Sequence, residues 1–391
     1  MTYYLLPKAP FLIHKYIDCI EVGSVQEPAV SNSLSSYLYE IKEKIDSREK
    51  DWDIFKKYTN PYEYIHTCVP YKKKCVSKYK PLSRSYFKMM EIISTFNLEY
   101  DVQPIRSFHL AEGPGGFIEA IANTRKNKDD IYIGMTLIDD KNDPNIPGWK
   151  KTEQFLRNNP NVYIERGSDN TGDILSLDNF AGCKEMYKSS MDLITADGGF
   201  DFSVDFNKQE MNIAKLLFAQ VCYAVSMQKQ GGTFVLKVFD CFMQHSVDIL
   251  YILSSFYQKV YMMKPYTSRY ANSEKYIVCK GFLFPTCDYF YPFLHRAFEK
   301  MVSVPDTTET SYIHRFLNLP VSAFYISKVE EYNAVLGQQQ IENIHYTLSF
   351  IDNKHNQEKI DVLIKSNIQK CVQLCTKYGI PYNIIIHNNP R

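Results

Sequence analysis

The sequence has no Cys-x-x-Cys pair, although ten cysteines are spread over its 391 residues. That spacing reads neither as a disulfide framework nor as a zinc site, and it suits a reducing compartment. Cys371 and Cys375 stand one helical turn apart and read as neighbours on one helix face rather than as metal ligands. No apolar run reaches the roughly 18 residues of a membrane-spanning helix. The first residues, MTYYLLPKAPFLIHKYIDC, lack a basic start and a small-residue cleavage site, so they make a poor signal peptide. Repeats and low-complexity tracts are lacking as well. Net charge is scarce: the formal total is +1, which hides uneven local charge and so says nothing about partners. Tyrosine is abundant, at 30 residues, and suits both core packing and base stacking on a basic face. The length allows a large buried core.

Residues 1–80 read as a charged, helix-prone and basic extension. SSYLYEIKEKIDSREKDWDIFKKY has helical apolar spacing through Leu38, Ile41, Ile45, Trp52 and Phe55. A basic segment, YKKKCVSKYKPLSR, runs from Tyr71 to Arg84, and SRSYFKMMEIISTF then predicts a helix. From residue 105 the pattern alternates. IRSFHLA, IYIGMTL, NVYIE, MDLITADGG, TFVLKVF, KVYMMKP and KYIVCKGFLF predict seven strands with helices between most of them. A long helix, KQEMNIAKLLFAQVCYAVSMQK, is expected to stop at Gly231 and Gly232. The last two strands are joined without a helix, so they should pair antiparallel. This alternation implies an α/β fold with a mostly parallel sheet covered on both faces. Ligands of such sheets sit beyond the carboxyl ends of the strands. After Pro285 the alternation stops. YPFLHRAFEKMV, SYIHRFLNL, VSAFYISKVEEYNAVL and HNQEKIDVLIKSNIQKCVQLCTKYG predict helices, and PYNIIIHN a last strand or an ordered tail. The expected organisation is an N-terminal extension over 1–80, a catalytic domain over 81–285 and a mostly helical extension over 286–391.

The stretch AEGPGGFIEA places Gly113, Gly115 and Gly116 between a strand and a helix. Glycines there let the main chain turn sharply and approach a ligand, and the helix start offers unpaired N–H groups. A nucleotide phosphate or a carboxylate would suit them. The loop is neither G-x-G-x-x-G nor a P-loop, and a carboxylate with an adenosine would fit S-adenosylmethionine. A tight turn without any ligand is the competing reading. Asp173, in NTGDILSL, follows the third strand and suits either an adenine amino group or a helix N-cap. Four charged residues stand apart from these. Lys88 lies on a helix among apolar neighbours, Asp197 ends strand four, Lys237 sits inside an apolar strand, and Glu274 opens strand seven. A lysine within TFVLKVF requires a partner or a function, because burying an ammonium is costly. An edge lysine that snorkels to water is the alternative.

With these blocks in order, the sequence resembles the FtsJ-like RNA ribose 2′-O-methyltransferases, and among them the type that modifies the first nucleotides beside the messenger RNA cap. The blocks are SRSYFKMMEI, HLAEGPGGFIEA, IGMTL, GDI, TADGGFD, GGTFVLKVFD and KPYTSRYANSEKYIVCKGF, over residues 83–283. The resemblance implies a Rossmann-like methyltransferase fold and S-adenosyl-L-methionine as cofactor, with no metal. It implies a Lys–Asp–Lys–Glu tetrad at Lys88, Asp197, Lys237 and Glu274, with Lys237 as general base. The cofactor would lie against Glu112, Gly113, Pro114, Gly115, Gly116 and Phe117, with Asp173 and Ile174 at its adenine and Asp197 alongside. Many relatives carry Asp where this chain has His109 and a small residue where it has Glu112, so Glu112 would replace the lost carboxylate. Arg269 and Asn272 would contact the RNA backbone. For Lys72, Lys73, Lys74 and Arg84 of the basic segment, with Lys78 and Lys80, phosphate contact competes with simple solvation; Tyr71 and Tyr79 could stack on bases. The implied partner is RNA, 5′-capped mRNA foremost, with other capping or transcription proteins and no membrane. The implied location is intracellular, nuclear or cytoplasmic, or a virion.

Three other functions remain at this level. One is a ribosomal or transfer RNA 2′-O-methyltransferase. Another is an idle relative that binds RNA or serves as a scaffold, against which the complete tetrad argues. The most distant is a nicotinamide oxidoreductase, whose fingerprint the glycine loop lacks.

Overall fold

The chain opens with two strands, β1 (Tyr3–Leu6) and β2 (Ile17–Val22), and two helices, α1 (Asn32–Asp46) and α2 (Glu49–Thr59). Helix α3 (Ser85–Phe96) leads into β3 (Arg106–Leu110), α4 (Gly116–Arg125), β4 (Ile131–Met135), α5 (Glu153–Asn158), β5 (Val162–Glu165), α6 (Leu177–Tyr187) and β6 (Met191–Ala196). Next come α7 (Gln209–Asn212), α8 (Ala214–Met227), β7 (Gln228–Val238), α9 (Gln244–Phe256), β8 (Tyr257–Met263) and β9 (Lys275–Phe282). The chain ends with α10 (Tyr291–Ser303), β10 (Tyr312–Leu317), α11 (Ala323–Asp352) and α12 (Gln357–Lys377). These elements come from a computed structural model that describes residues 2–98, 103–138, 148–199, 209–305 and 311–385. The polar loop with Pro144 and Pro147 lies outside the described residues. So do Phe200 and Asp201 of the TADGGFD block and the end of PYNIIIHN.

Among the described residues one sheet runs in the order β1-β8-β9-β7-β6-β3-β4-β5, with β10 and β2 paired apart from it. Strands β7, β6, β3, β4 and β5 pair in parallel, while β9 is antiparallel to both β7 and β8. The α/β class and the antiparallel pair formed by the last two expected strands therefore hold. The strand count does not: the sheet has an eighth strand, because β1 pairs antiparallel with β8, Tyr3 opposite Met263. The N-terminal extension, expected to be helical, thus contributes strands as well. Its helical stretch divides at Ser47 and Arg48 into α1 and α2.

Two further expectations are corrected. SYIHRFLNL is no helix; Tyr312–Leu317 form β10 against β2. Short apolar segments fit both periods, and here a buried tertiary partner decides. Asp248 on α9 accepts hydrogen bonds from the Phe316 and Leu317 N–H groups and from the Arg315 guanidinium, which holds the segment extended. The long helix stops at Met227, not at the glycines, and β7 begins at once. Gly231, with φ of 81°, lies within β7 near a register irregularity against β6. Glycine there permits the bulge that lets the strand restart its pairing.

The sheet divides the interior. Phe234, Leu236 and Val238 of β7 and Ile277 and Cys279 of β9 join the cluster under α8, α9 and α10. Val235, Tyr276 and Val278 join the cluster with α3, α4, α11 and α12. Side chains alternate along a strand, so Lys237 shares the α3 face with Val235, and Glu274 shares it with Tyr276. That parity turns Lys237 and Glu274 toward the helix that carries Lys88. No helix among the described residues is long and apolar enough to cross a membrane.

Candidate active site

Lys88 and Lys237 come from α3 and β7, yet both face Glu274. The Lys88 ammonium donates to Glu274 Oε2 at 2.8 Å, with both side chains nearly buried. Lys237 Nζ donates to the Asp197 carbonyl at 2.6 Å and lies 3.3 Å from Asp197 Oδ1. Tyr276, opposite Lys237 in the β7–β9 ladder, donates its hydroxyl to Asp197 Oδ1 at 2.9 Å. Gly199 keeps space for the lysine, since a Cβ there would stand 3.2 Å from its Nζ. Burial pushes the Glu274 carboxyl up, but the ammonium groups of Lys88, Lys237 and Lys264 outweigh it and hold the carboxyl at about 2. Ser268 Oγ donates to the other carboxylate oxygen at 2.8 Å. The expected four residues thus meet as two ion pairs at the carboxyl edge of the sheet.

The glycine loop faces the same edge. Gly115 has φ of 108°, a conformation that favours glycine. A Cβ on Gly113 would meet the Gly148 carbonyl at 2.8 Å, and one on Gly116 would collide with the Ser83 and Ser85 hydroxyls. Thr152 Oγ1 holds the Pro114 carbonyl at 2.8 Å, and Phe117 packs in the core with its ring 6.0 Å from that of Tyr276. The loop after β5 closes the rim: a Cβ on Gly172 would collide with the Thr136 carbonyl beyond β4. Ile174 is buried there. Asp173 Oδ1 accepts from the Leu175 N–H at 2.9 Å, while the N-cap of α6 is Ser176. Asp173 therefore does not serve as that cap.

Glu112 and His109 have other partners. The Glu112 carboxyl is buried and accepts from the Phe117 and Ile118 N–H groups at 2.7 and 3.0 Å, at the head of α4. Those donors are thereby engaged by the chain itself. Burial pushes the Glu112 carboxyl up to about 8, against its two N–H bonds. Because this folded value exceeds the ordinary 4.5, the stability it supplies is full below pH 4.5 and is lost as pH rises through about 8. Glu112→Gln is expected to remove that slope. Thermal melts between pH 5 and 9 should show the variant gaining on the wild type as pH rises; parallel curves would contradict it. His109 is wholly buried and hydrogen-bonds Ser107 Oγ at 2.8 Å and Thr195 Oγ1 at 2.7 Å, and burial lowers it to about 3. It is a neutral bridge between β3 and β6.

The expected RNA contacts fall into two groups. Lys72, Lys73, Lys74, Lys78 and Lys80 are exposed, and so is Tyr71. No described hydrogen bond or ion pair joins Lys72, Lys73 or Lys74 to the tetrad. Tyr79 is turned inward, donating to Glu119 at 2.6 Å and packing on Tyr86. Arg84 and Arg269 instead converge on one buried carboxylate, Glu63. Asn272 is exposed, and its carbonyl accepts from Lys264.

Residues 81–282 match the family model of the FtsJ-like methyltransferases, a little over half of the chain. The chain belongs to that family. It is 35% identical over 207 residues to the cap-specific mRNA (nucleoside-2′-O-)-methyltransferase 2 of Danio rerio, covering 50% of this chain and 28% of that protein. It is 32% identical over 201 residues to the cap-specific mRNA (nucleoside-2′-O-)-methyltransferase 1 of Trypanosoma brucei brucei, covering 50% and 52%. A longer match, 26% identical over 369 residues, covers 87% of this chain and 44% of the cap-specific mRNA (nucleoside-2′-O-)-methyltransferase 2 of Pongo abelii. The chain therefore spans between 28% and 52% of the length of these relatives.

An FtsJ-like methyltransferase uses S-adenosylmethionine as donor, and the rim suits it. The donor needs acceptors for an ammonium and an adenine amino group, and a place where main chain can approach. Asp197 and Asp173 supply carboxylates, and Gly113, Gly115 and Gly116 leave the main chain without side chains of its own to stand before a ligand.

Several residues around this FtsJ-like centre escape sequence reasoning. Lys264 is buried beside Glu274 and donates to the Asn272 and Glu274 carbonyls, the latter at 2.8 Å. Burial pushes its ammonium down to about 7, with Lys275 and Lys88 adding to the fall and Glu274 opposing it. Lys42 of α1 forms a buried pair with Asp240 at 3.0 Å, just past β7. Glu91, one turn beyond Lys88, accepts from the Tyr266 and Thr267 N–H groups at 2.9 and 2.8 Å. A charged residue at an apolar helix position was the available signal for Glu91. Nothing local marks Lys42 or Glu63.

Proposed function

We propose that this chain is an S-adenosylmethionine-dependent RNA ribose 2′-O-methyltransferase that acts on the first nucleotides of capped mRNA. The observation that carries the reading is the pair of lysines, Lys88 and Lys237, held against Glu274 and Asp197 beside the glycine rim. The cap-specific activity of the relatives supports the choice of substrate.

A ribose 2′-OH is a weak acid and a poor nucleophile, so the site must aim it and take its proton. Bound S-adenosylmethionine supplies an electrophilic methyl on a sulfonium that departs as a neutral thioether. Lys237, in its amine form, accepts the hydroxyl proton while the oxygen–methyl bond forms; such a base contributes roughly 10²–10⁴-fold. The Asp197 carbonyl and carboxylate fix the direction of Nζ. Lys88, held by Glu274, offsets the negative charge growing on the oxygen. Alignment of oxygen and methyl supplies the larger share, of the order of 7–11 kcal/mol. Lys72, Lys73 and Lys74 take the RNA backbone on its way in, with Asn272 at the edge of the site, while Arg84 and Arg269 are engaged by Glu63. The extensions over 1–80 and 286–391 frame the catalytic segment, and other capping or transcription proteins are the natural partners of such an enzyme. Its place is where capped RNA is made or held.

Tritium transfer from S-adenosylmethionine to short RNAs of one sequence, capped and uncapped, tests this. The expected product is a 2′-O-methylated first or second nucleotide, formed at least tenfold faster on capped RNA. Equal rates would remove cap specificity, and methylation of a base would overturn the reaction class.

A further inference from the structure

We propose that Glu63 is the positioning residue that locks the loop carrying Glu274 onto the helix carrying Lys88. The inference rests on the functional reading above, since it concerns the geometry of the same tetrad. Glu63 lies outside the family segment, in a short helical turn after α2, and is fully buried. A lone carboxylate in that setting is costly unless several donors meet it. Arg84 Nη1 reaches it at 2.7 Å, and Arg269 reaches it through Nε at 3.0 Å and Nη2 at 2.7 Å. Asn60 Nδ2 and Thr67 Oγ1 each add a bond at 2.8 Å. Burial would push the Glu63 carboxyl up, but the two arginines outweigh it and hold it far below the usual range.

The two guanidiniums belong to the two elements that must meet. Arg84 precedes Lys88 by one helical turn at the head of α3, and Arg269 stands just ahead of Glu274. Arg84 also donates through Nε and Nη2 to the Thr267 carbonyl at 3.2 and 2.8 Å, and Glu91 of α3 holds the Tyr266 and Thr267 N–H groups. The loop from Pro265 to Arg269 is therefore tied to α3 through Tyr266 and Thr267, and Glu63 supplies the tie at Arg269 that α3 does not itself make. Without the carboxylate the two like charges would repel, and the loop would move Glu274 away from Lys88. Most of the fork of each arginine is engaged in this strut, so its first task is to set the spacing between Lys88 and Glu274 rather than to meet phosphate.

Hydrogen–deuterium exchange and kinetics on Glu63→Gln test the inference, with Arg269→Gln as the second variant that cuts the same strut from the loop side. Amides of residues 266–274 should exchange at least tenfold faster in either variant, while those of β3 and β4 stay protected. With saturating cofactor, kcat should fall at least tenfold and cofactor affinity should stay within threefold of the wild type. Unchanged loop exchange in the folded variants, exchange raised across the whole sheet, or a kcat within twofold of the wild type would each overturn it. Should Glu63→Gln fail to fold, Arg269→Gln decides by the same readouts. If the wild type methylates no RNA, the functional reading has failed, and the exchange data alone decide whether Glu63 locks the loop.

Discussion

Lys237→Ala is expected to cut methyl transfer by at least a hundredfold and to leave cofactor affinity within about threefold of the wild type. On the proposed reading the lysine serves the acceptor side of the site, its Nζ anchored by the Asp197 carbonyl at 2.6 Å. On that reading, removing it deletes the proton acceptor, worth roughly 10²–10⁴-fold. Lys237 is 12% exposed in its side chain and pairs with one carboxylate, so the fold should tolerate the change. Calorimetric titration with S-adenosylmethionine, beside single-turnover methyl transfer, separates the two properties. A variant that loses cofactor binding together with activity would show that Lys237 serves the donor pocket instead. A variant that keeps a tenth of the rate would move the base elsewhere, and Lys88 would be the next ammonium to test.

Glu274→Ala is expected to cost both activity and about 3–5 kcal/mol of stability, the range for breaking a buried pair by removing one partner. Its carboxylate answers three ammonium groups, those of Lys88, Lys237 and Lys264. Deleting it leaves them facing one another at the edge of the sheet with little water to screen them. The sign of the pH dependence follows from the direction of the shift. The folded carboxyl is held at about 2, below the ordinary 4.5, so its stabilisation is complete above pH 4.5 and is lost as pH falls through about 2. The stability gap between wild type and variant should thus be widest near neutrality and narrow at pH 3. Denaturant melts at pH 7 and pH 3 measure both gaps. An equal gap at the two values, or none at pH 7, would mean that solvent rather than Glu274 balances the lysines.

Some of the residues that share the site were legible before any coordinates, because they betray themselves locally. Lys237 interrupts an apolar strand, Asp197 ends one, and Gly113, Gly115 and Gly116 crowd a strand-to-helix turn. The α/β alternation was legible for the same reason, since period and punctuation are properties of neighbouring residues. The misreadings share the opposite property. Tyr312–Leu317 could be helix or strand until β2 and Asp248 met it. Tyr3–Leu6 became the eighth strand only through β8, far along the chain. That the Phe117 and Ile118 N–H groups at the head of α4 would meet Glu112 was not legible either.

Periodicity was enough to specify the α/β segment and its layers, and the resemblance carried by the ordered motifs pointed to the four ionisable groups at its edge. Neither specified their spacing or the frame that sets it. Glu63 and Arg269 stand 206 residues apart, as Lys42 and Asp240 stand 198 apart. Such contacts exist only once long loops have closed and water has been driven from around the charges, because a carboxylate in solution has no reason to prefer one distant cation over another. Burial creates that preference, and burial belongs to the assembled core rather than to any stretch of chain.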